Sequence, residues 1–209
     1  MRVDIWSDIV CPWCYVGKRR FETALAAFDA EPVDVVHHSF QLNPAAPRDA
    51  TTDRREMLRQ KYRLTEARVD ELDAQMTELA AAEGLQYRLE GTVTGNTLDA
   101  HQLVHLAHES GRQDAMLERL YRAYFSETRS VFDPESLVEL AQDVGIERET
   151  ARAALTEARY ASAVRDDMEI ARRIGITGVP FFVIDSRIGV SGAQASATFL
   201  EALTTAKTG

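Results

Sequence analysis

Residues 3–14 read VDIWSDIVCPWC and join a short apolar strand to a pair of cysteines. A helix-period pattern of aromatic and aliphatic residues follows over residues 21–28, and residues 33–40 form a second apolar strand. Together these segments predict a β-α-β unit. Cys11 and Cys14 therefore fall where the first strand ends and the helix begins.

The cysteine spacing is typical of redox chemistry. Cys11 and Cys14 are expected on the first turn of the helix, within reach of a reversible disulfide. A helix N-terminus carries partial positive charge and unpaired N–H groups, which favour thiolate over thiol. We expect Cys11 to form a mixed disulfide with a substrate and Cys14 to resolve it. Pro12 suits a first helical turn, and Trp13 adds an apolar surface against which a substrate could lie.

A CxxC pair is also half of a structural zinc site. The chain has only two cysteines, so zinc would need other ligands. His101, His105 and His108 share one helical face, but nothing in the sequence brings that face to Cys11, and a packed or solvated face explains it. We predict no metal site and favour a redox role, because a CxxC at a strand-to-helix junction is typical of thioredoxin-like proteins.

The middle of the chain changes from strand-like to helix-like patterning. A proline-bearing connection at residues 43–47 is followed by apolar residues at helical spacing, with glycines at the predicted helix ends. Asp133-Pro134 is typical of a helix start, since aspartate caps a helix and proline is tolerated at its first position. We predict a large all-helical insertion over residues 44–174.

Strand patterning returns near the C-terminus, at residues 181–184 and 188–190, and a final helix is predicted over residues 195–203. Because neither half covers both faces of its strands, the two halves are expected to share one sheet. The predicted fold class is α/β, a thioredoxin-like fold with a β-α-β half and a β-β-α half. Its thioredoxin-like domain comprises residues 1–43 and 175–209, interrupted by the helical insertion.

The net charge and the first residues of the chain bear on which partners and which compartment we expect. The 209 residues include 33 acidic and 24 basic side chains, for a formal net charge of -9, the wrong sign for a general nucleic-acid or anionic-membrane binder. The first residues read directly into a strand without a signal-peptide pattern, and no later segment resembles a membrane span. We expect a cytoplasmic protein, in which a close cysteine pair is catalytic, redox-sensing or metal-binding.

Further motifs extend the comparison to a known family. Thr177-Gly178-Val179-Pro180 precedes a late strand, where a proline on its own indicates only a loop. Together with the cysteine motif it resembles the DsbA-like branch of the thioredoxin superfamily, and other motifs narrow the resemblance to FrnE-type DsbA-like oxidoreductases. Those motifs span nearly the whole chain and are SDIVCPWCYVGKR at residues 7–19, FQLNP at 40–44, Asn96-Thr97 with Ala100-His101, and SGAQ at 191–194.

The resemblance implies thiol-disulfide exchange with protein, peptide or small-molecule thiols, without an obligatory cofactor. It makes Pro180 a cis-proline packed opposite the cysteines, and it makes the backbone of Val179 a partner for an extended substrate segment. Asp8 is implied as a buried proton acceptor near Cys14. A surface or helix-capping role for this aspartate stays open.

The same branch includes glutathione-dependent relatives, the kappa-class transferases and 2-hydroxychromene-2-carboxylate isomerases, which typically carry serine where this chain has Cys11. Both cysteines favour dithiol chemistry. An isomerase or transferase of an aromatic or polyketide-like molecule, with glutathione as co-substrate, is the alternative. Asn96, Thr97 and His101 would line an apolar cleft, although Asn96-Thr97 could equally be a helix cap. A non-catalytic redox sensor is the third hypothesis.

Overall fold

The computed structural model describes residues 1–208. Across these residues, no helix combines the length and the apolar character needed to cross a bilayer. In chain order the elements are β1 (Arg2–Ser7), α1 (Pro12–Ala27), β2 (Asp34–Ser39), β3 (Thr52–Asp53), α2 (Arg54–Tyr62), α3 (Glu66–Ala82), β4 (Val93–Thr94), α4 (Leu98–Glu109), α5 (Gln113–Phe125), α6 (Pro134–Asp143), α7 (Arg148–Thr156), α8 (Ala161–Arg173), β5 (Phe181–Ile184), β6 (Ile188–Ser191) and α9 (Ser196–Thr208).

The chain divides into two compact units. The first unit comprises residues 1–42 and the chain from Val164 onward, and the second comprises Asn43–Ala163. The return to the first unit comes earlier than the predicted boundary at residue 175. The difference arises because α8 is anchored to the strands of the first unit, where Asp167 accepts hydrogen bonds from their backbone and side chains.

The first unit contains a four-stranded sheet in the order β2-β1-β5-β6. β1 pairs in parallel with β2, with Trp6 opposite His38, and antiparallel with β5, with Trp6 opposite Phe181. β5 and β6 form an antiparallel hairpin. This sheet, shared by a β-α-β half and a β-β-α half, confirms the predicted α/β fold class.

Side chains alternate in direction along a strand, so β1 places apolar side chains on both faces of the sheet. Helices cover both faces and bury these side chains. Ile5 of β1 lies in a core with Phe21 of α1 and Phe199 of α9. The next residue, Trp6, points to the opposite face and packs with Ala171 of α8. The loop that carries the cysteines therefore begins at a strand that is fixed on both sides.

The second unit is helical except for one short ribbon. Thr52–Asp53 pairs antiparallel with Val93–Thr94, which corrects the prediction of an insertion without strands. The sequence patterns also missed α2 and α7. Both helices carry few large apolar side chains, so their hydrophobic period was not visible.

The predicted start and end of α6 are both present. The Asp133 side chain accepts a hydrogen bond from the N–H of Ser136 at 2.7 Å, and Pro134 occupies the first helical turn. Gly145, which follows the end of the helix, has a φ of 80°. This backbone conformation favours glycine and ends a helix.

Candidate redox-active site

Cys11 and Cys14 lie on the first turn of α1. Cys11 is the N-cap residue, with extended backbone angles of φ -88° and ψ 111°, and Pro12 follows in the first turn. The N–H of Cys11 donates to the carbonyl oxygen of Asp8 at 3.1 Å, and the N–H of Cys14 donates to that of Cys11 at 3.0 Å. Both cysteines are free thiols. This turn places them where the helix dipole favours negative charge.

The motif is covered at its sulfurs and open at its tip. Cys11 is 4% exposed and Cys14 is 2% exposed. Trp13, between them in sequence, is 44% exposed and is one of the few large apolar side chains at the surface of the described chain. The indole ring is therefore accessible for the substrate contact that the sequence predicts.

Val179 and Pro180 border Cys11 from the loop before β5. The peptide bond between them is cis. The Sγ–H of Cys11 donates to the carbonyl oxygen of Val179 at 3.6 Å. A main-chain acceptor therefore lies beside the predicted nucleophile.

Gly17 determines how closely this loop approaches α1. A Cβ atom at Gly17 would lie 2.9 Å from Cγ of Pro180 and 3.4 Å from Cβ of Ala193. Arg20 donates from Nη1 to the carbonyl oxygen of Ala193 at 2.8 Å. Gly17 is not among the site residues that the sequence predicts. Its presence inside a helix, which costs about 1 kcal/mol relative to alanine, was the available signal of a close contact.

Burial is the main cause that raises the pKa of the Cys14 thiol well above its usual value. A hydrogen bond and a charge interaction with Cys11 raise this pKa further, and so does the charge of Asp8, while a backbone hydrogen bond with Asp8 lowers it. Cys14 is therefore held as a thiol at neutral pH. This suits a resolving residue, which loses its proton only after the mixed disulfide has formed.

Asp8 is buried at the junction between β1 and the cysteine loop. It is 1% exposed, which excludes the surface role that the sequence left open. Its Oδ2 accepts a hydrogen bond from the N–H of Leu42 at 2.8 Å. The charge of Asp8 acts on the buried Cys14 thiol.

Asn96, Thr97 and His101 lie at the start of α4, in the second unit. Oδ1 of Asn96 accepts a hydrogen bond from the N–H of Leu98 at 3.0 Å, and Nδ2 donates to the carbonyl oxygen of Ala46 at 2.7 Å. The helix-capping alternative thus describes Asn96. Thr97 and His101 are buried, and a substrate-binding role for these three residues stays a prediction.

The histidines of α4 have different surroundings, although they share one helical face. His101 is buried, His105 stacks on Tyr160 with ring centroids 6.4 Å apart, and His108 is exposed. Within residues 1–208, no three histidine, cysteine or acidic side chains are grouped so as to hold a metal ion.

A charged cluster near the site was missed by the sequence analysis. Nδ1 of His38 lies 2.7 Å from Oδ1 of Asp167, and Nε2 lies 2.7 Å from Oδ1 of Asp4. Asp4 and His38 are ionisable residues inside strands that the sequence predicts to be largely buried, and this was the signal that could have found them. Asp167 could not be predicted as their partner, because it lies far along the chain.

Comparison with known proteins gives a consistent result. A family model described as the DSBA-like thioredoxin domain matches residues 2–204. The crystal structure of a probable DsbA oxidoreductase, SCO1869 from Streptomyces coelicolor, is 49% identical, with a TM-score of 0.96 and coverage of 100% of this chain and 90% of that chain.

Two more distant solved structures share the fold. DsbM from Pseudomonas aeruginosa, a cytosolic disulfide reductase solved with GSH, is 19% identical, with a TM-score of 0.66 and coverage of 100% of this chain and 96% of that chain. A 2-hydroxychromene-2-carboxylate isomerase is 15% identical, with a TM-score of 0.74 and coverage of 98% and 95%. At these identities the likeness shows the fold alone.

Proposed function

The chain belongs to the family of DSBA-like thioredoxin domains, and on this premise we propose that it is a thiol-disulfide oxidoreductase whose redox-active pair is Cys11 and Cys14. The observation that carries the proposal is the position of Cys11, which caps α1 and has its Sγ 3.6 Å from the carbonyl oxygen of Val179. The partial positive charge at a helix N-terminus favours negative charge on a residue at this position, which suits a nucleophilic sulfur.

The Val179 carbonyl oxygen can exchange the Cys11 thiol for a substrate N–H as its hydrogen-bond donor. The hydrogen bond exists only while Cys11 is a thiol, because a thiolate cannot donate. When Cys11 loses its proton, the Val179 carbonyl oxygen becomes available to accept an N–H from an extended substrate segment.

In the reducing direction, the Cys11 thiolate attacks one sulfur of a substrate disulfide. A bond forms between Cys11 and that sulfur, the substrate disulfide bond breaks, and the departing sulfur takes up a proton. Cys14 then loses its proton and attacks Sγ of Cys11, which forms the Cys11–Cys14 disulfide and releases the second substrate thiol. Two electrons pass from the dithiol to the substrate, and the reverse sequence oxidises a substrate dithiol.

Asp8 is the proposed acceptor of the Cys14 proton. The carboxylate is buried and its charge acts on the thiol, so a proton can pass from Sγ to the carboxylate as the new disulfide bond forms. Neutralising Asp8 in this step also removes the charge that opposes ionisation of Cys14. The same carboxylate returns the proton when the cycle runs in reverse.

The proposed substrates are thiols and disulfides of proteins, peptides or small molecules, which would lie against the exposed ring of Trp13. The dithiol itself carries the electrons, so the proposal includes no obligatory cofactor. Glutathione is proposed as a small-molecule partner, supported by the solved complex of DsbM with GSH. The proposed compartment is the cytoplasm, where a close cysteine pair acts catalytically rather than as a structural disulfide.

The experiment is insulin-disulfide reduction by the full chain and by Cys11→Ser, Cys14→Ser and the double variant. We expect Cys11→Ser and the double variant to lose exchange, and Cys14→Ser to accumulate a mixed disulfide detectable by mass spectrometry. The double variant is a cysteine-free control, since the chain has only two cysteines. Wild-type exchange in Cys11→Ser would contradict the proposal. If Cys11→Ser instead still converts an aromatic or polyketide-like molecule in the presence of glutathione, the result would favour the isomerase or transferase alternative.

A further inference from the structure

A largely buried cluster of ionisable side chains lies on the face of the sheet that α8 covers. His38 of β2 stands between two carboxylates, 2.7 Å from Asp167 of α8 and 2.7 Å from Asp4 of β1. The proposed thiol chemistry uses none of these three residues. Their contacts nevertheless join the three elements next to the site.

Between two ionised carboxylates, this geometry calls for a proton on both ring nitrogens of His38. An ionised carboxylate only accepts hydrogen bonds, and a neutral imidazole has a single N–H. Both contacts can therefore be hydrogen bonds only when the ring is an imidazolium. In a neutral ring, one nitrogen lone pair would face a carboxylate oxygen of Asp4 or Asp167.

The charged groups that face His38 come from several elements. Arg2 and Asp4 both belong to β1, and Nη2 of Arg2 donates to Oδ1 of Asp4 at 2.6 Å. The charge of Asp34, at the start of β2, acts on Arg2. Asp167 belongs to α8. Burial by itself lowers the pKa of His38, but hydrogen bonds and charge attraction to Asp167 and Asp4 outweigh it and raise this pKa above its ordinary value. From β5 and its preceding loop, the apolar side chains of Val179, Phe181 and Val183 pack against the cluster that contains Trp6.

Asp167 connects this cluster to the ends of β1 and β2. Besides His38, it accepts the N–H of Ser39 at 2.8 Å through Oδ2 and the Nε1–H of Trp6 at 3.1 Å through its backbone oxygen. The Trp6 ring stacks on His38 with centroids 4.5 Å apart. Val179, the residue beside the nucleophile, packs against the buried cluster formed by Trp6, Ala171 and Ile176. A continuous set of contacts therefore runs from His38 to Val179.

We propose that His38 is a positioning residue for thiol-disulfide exchange, which as an imidazolium holds Asp4 and Asp167 together. The inference rests on the proposed function. We call the contacts of His38 with Asp4 and Asp167 the brace. The brace fixes α8 on the sheet, and through the cluster that contains Trp6 it keeps Val179 beside Cys11. Loss of the proton turns one ring lone pair of His38 toward a carboxylate oxygen, so that contact becomes repulsive, α8 loosens and the loop shifts away from the nucleophile.

The pH dependence follows from the direction of the His38 shift. A histidine whose pKa is higher in the folded state than in the unfolded chain, where it is about 6.5, contributes stability that is fully present below the unfolded value. That contribution is lost as pH rises through the folded pKa of His38. Exchange ordinarily accelerates with pH because more thiolate forms, so the brace acts in the opposite direction.

The first measurement is an NMR titration of the histidine rings in the full chain, with the His38 signals identified by their loss in His38→Gln. We expect His38 to titrate above about 6.5. In Asp4→Asn the side-chain amide can donate to the unprotonated Nε2, so the midpoint should fall by about one pH unit. A wild-type His38 that titrates at or below its ordinary value would overturn the proposal.

The second measurement is the rate of exchange with a peptide disulfide across pH. We expect His38→Gln to be about tenfold slower at neutral pH, because misplaced reacting groups react slowly. Asp4→Asn should keep its exchange rate at alkaline pH, where the wild type loses its brace. His108→Gln, an exposed histidine of the second unit, is the matched control and should match the wild type.

The outcomes separate the two proposals. A wild type that exchanges no disulfide overturns the proposed function, whatever His38 does. If the wild type exchanges disulfides at the same rate as folded His38→Gln, the positioning role of His38 is wrong and the proposed function stands. If His38→Gln does not fold, the Asp4→Asn profile decides, and a profile identical to that of the wild type overturns the positioning role.

Discussion

Gly17 and Pro180 approach so closely that a Cβ atom on Gly17 would stand 2.9 Å from Cγ of Pro180. This contact joins the helix that begins at Cys11 to the loop whose Val179 carbonyl oxygen accepts a hydrogen bond from the Cys11 thiol. The distance between nucleophile and loop is therefore determined by packing one turn beyond the cysteines. A single missing methyl group makes this packing possible.

Gly17→Ala is expected to slow disulfide exchange and to lower the free energy of unfolding. Overpacking of this kind costs about 1–3 kcal/mol, and the better helix propensity of alanine offsets about 1 kcal/mol of it. Urea unfolding and exchange rates measure the two effects. Gly178→Ala is the matched control, since a Cβ atom added there would have no heavy atom of the described chain within 4 Å, its two chain neighbours aside. Equal effects of both substitutions would contradict the packing role of Gly17.

The two thiols should differ in reactivity. Because burial raises the pKa of Cys14, iodoacetamide should modify Cys14 in Cys11→Ser at least about tenfold more slowly than Cys11 in Cys14→Ser at neutral pH. The rate for Cys14 should rise into the alkaline range as its thiolate forms. Mass spectrometry of a quenched time course measures both rates. In urea the two rates should converge, and a faster Cys14 in the folded protein would refute the assigned roles.

Asp8→Asn tests proton transfer in the resolving step. The variant keeps an oxygen that can accept from the N–H of Leu42, so the local structure should persist. Loss of the proton acceptor should slow release of the mixed disulfide by about a hundredfold at neutral pH. Stopped-flow measurement of resolution should show that the rate recovers with rising pH, as solvent base replaces the carboxylate. An unchanged resolution rate would leave Asp8 with a structural role only.

Asp133→Ala should destabilise the protein through the start of α6. The side chain accepts a hydrogen bond from the N–H of Ser136 at 2.7 Å, and loss of such a cap costs about 1 kcal/mol. Thermal or urea unfolding measures the change. Glu147→Ala is the control, because among residues 1–208 the Glu147 side chain makes no capping bond at the start of α7. A loss of stability in Glu147→Ala as large as that in Asp133→Ala would argue against the cap.

Local features were largely predictable. The strand-to-helix setting of the CPWC motif, the strands β1, β2, β5 and β6, and the start of α6 each depend on residue spacing within a short segment. The structure contains all of these features. α2 and α7 were not predicted because α2 buries none of its residues and the buried face of α7 consists mainly of small alanines, Ala151 and Ala154, with Leu155. Asn96 was predicted both as a site residue and as a helix cap, and a single motif could not separate these roles.

The sequence by itself determined the cysteine pair, its strand-to-helix setting and the family of the fold, because these depend on spacing and on backbone preferences within single elements. The family resemblance already implied that Val179 and Pro180 lie at the cysteines. Only the tertiary structure decided that the Cys11 thiol donates to the Val179 carbonyl oxygen, that Pro180 rests on Gly17, and that Asp167 completes the contacts of His38. The physical reason is that burial, hydrogen bonding and charge depend on neighbours in space. Chain folding brings those neighbours from distant positions.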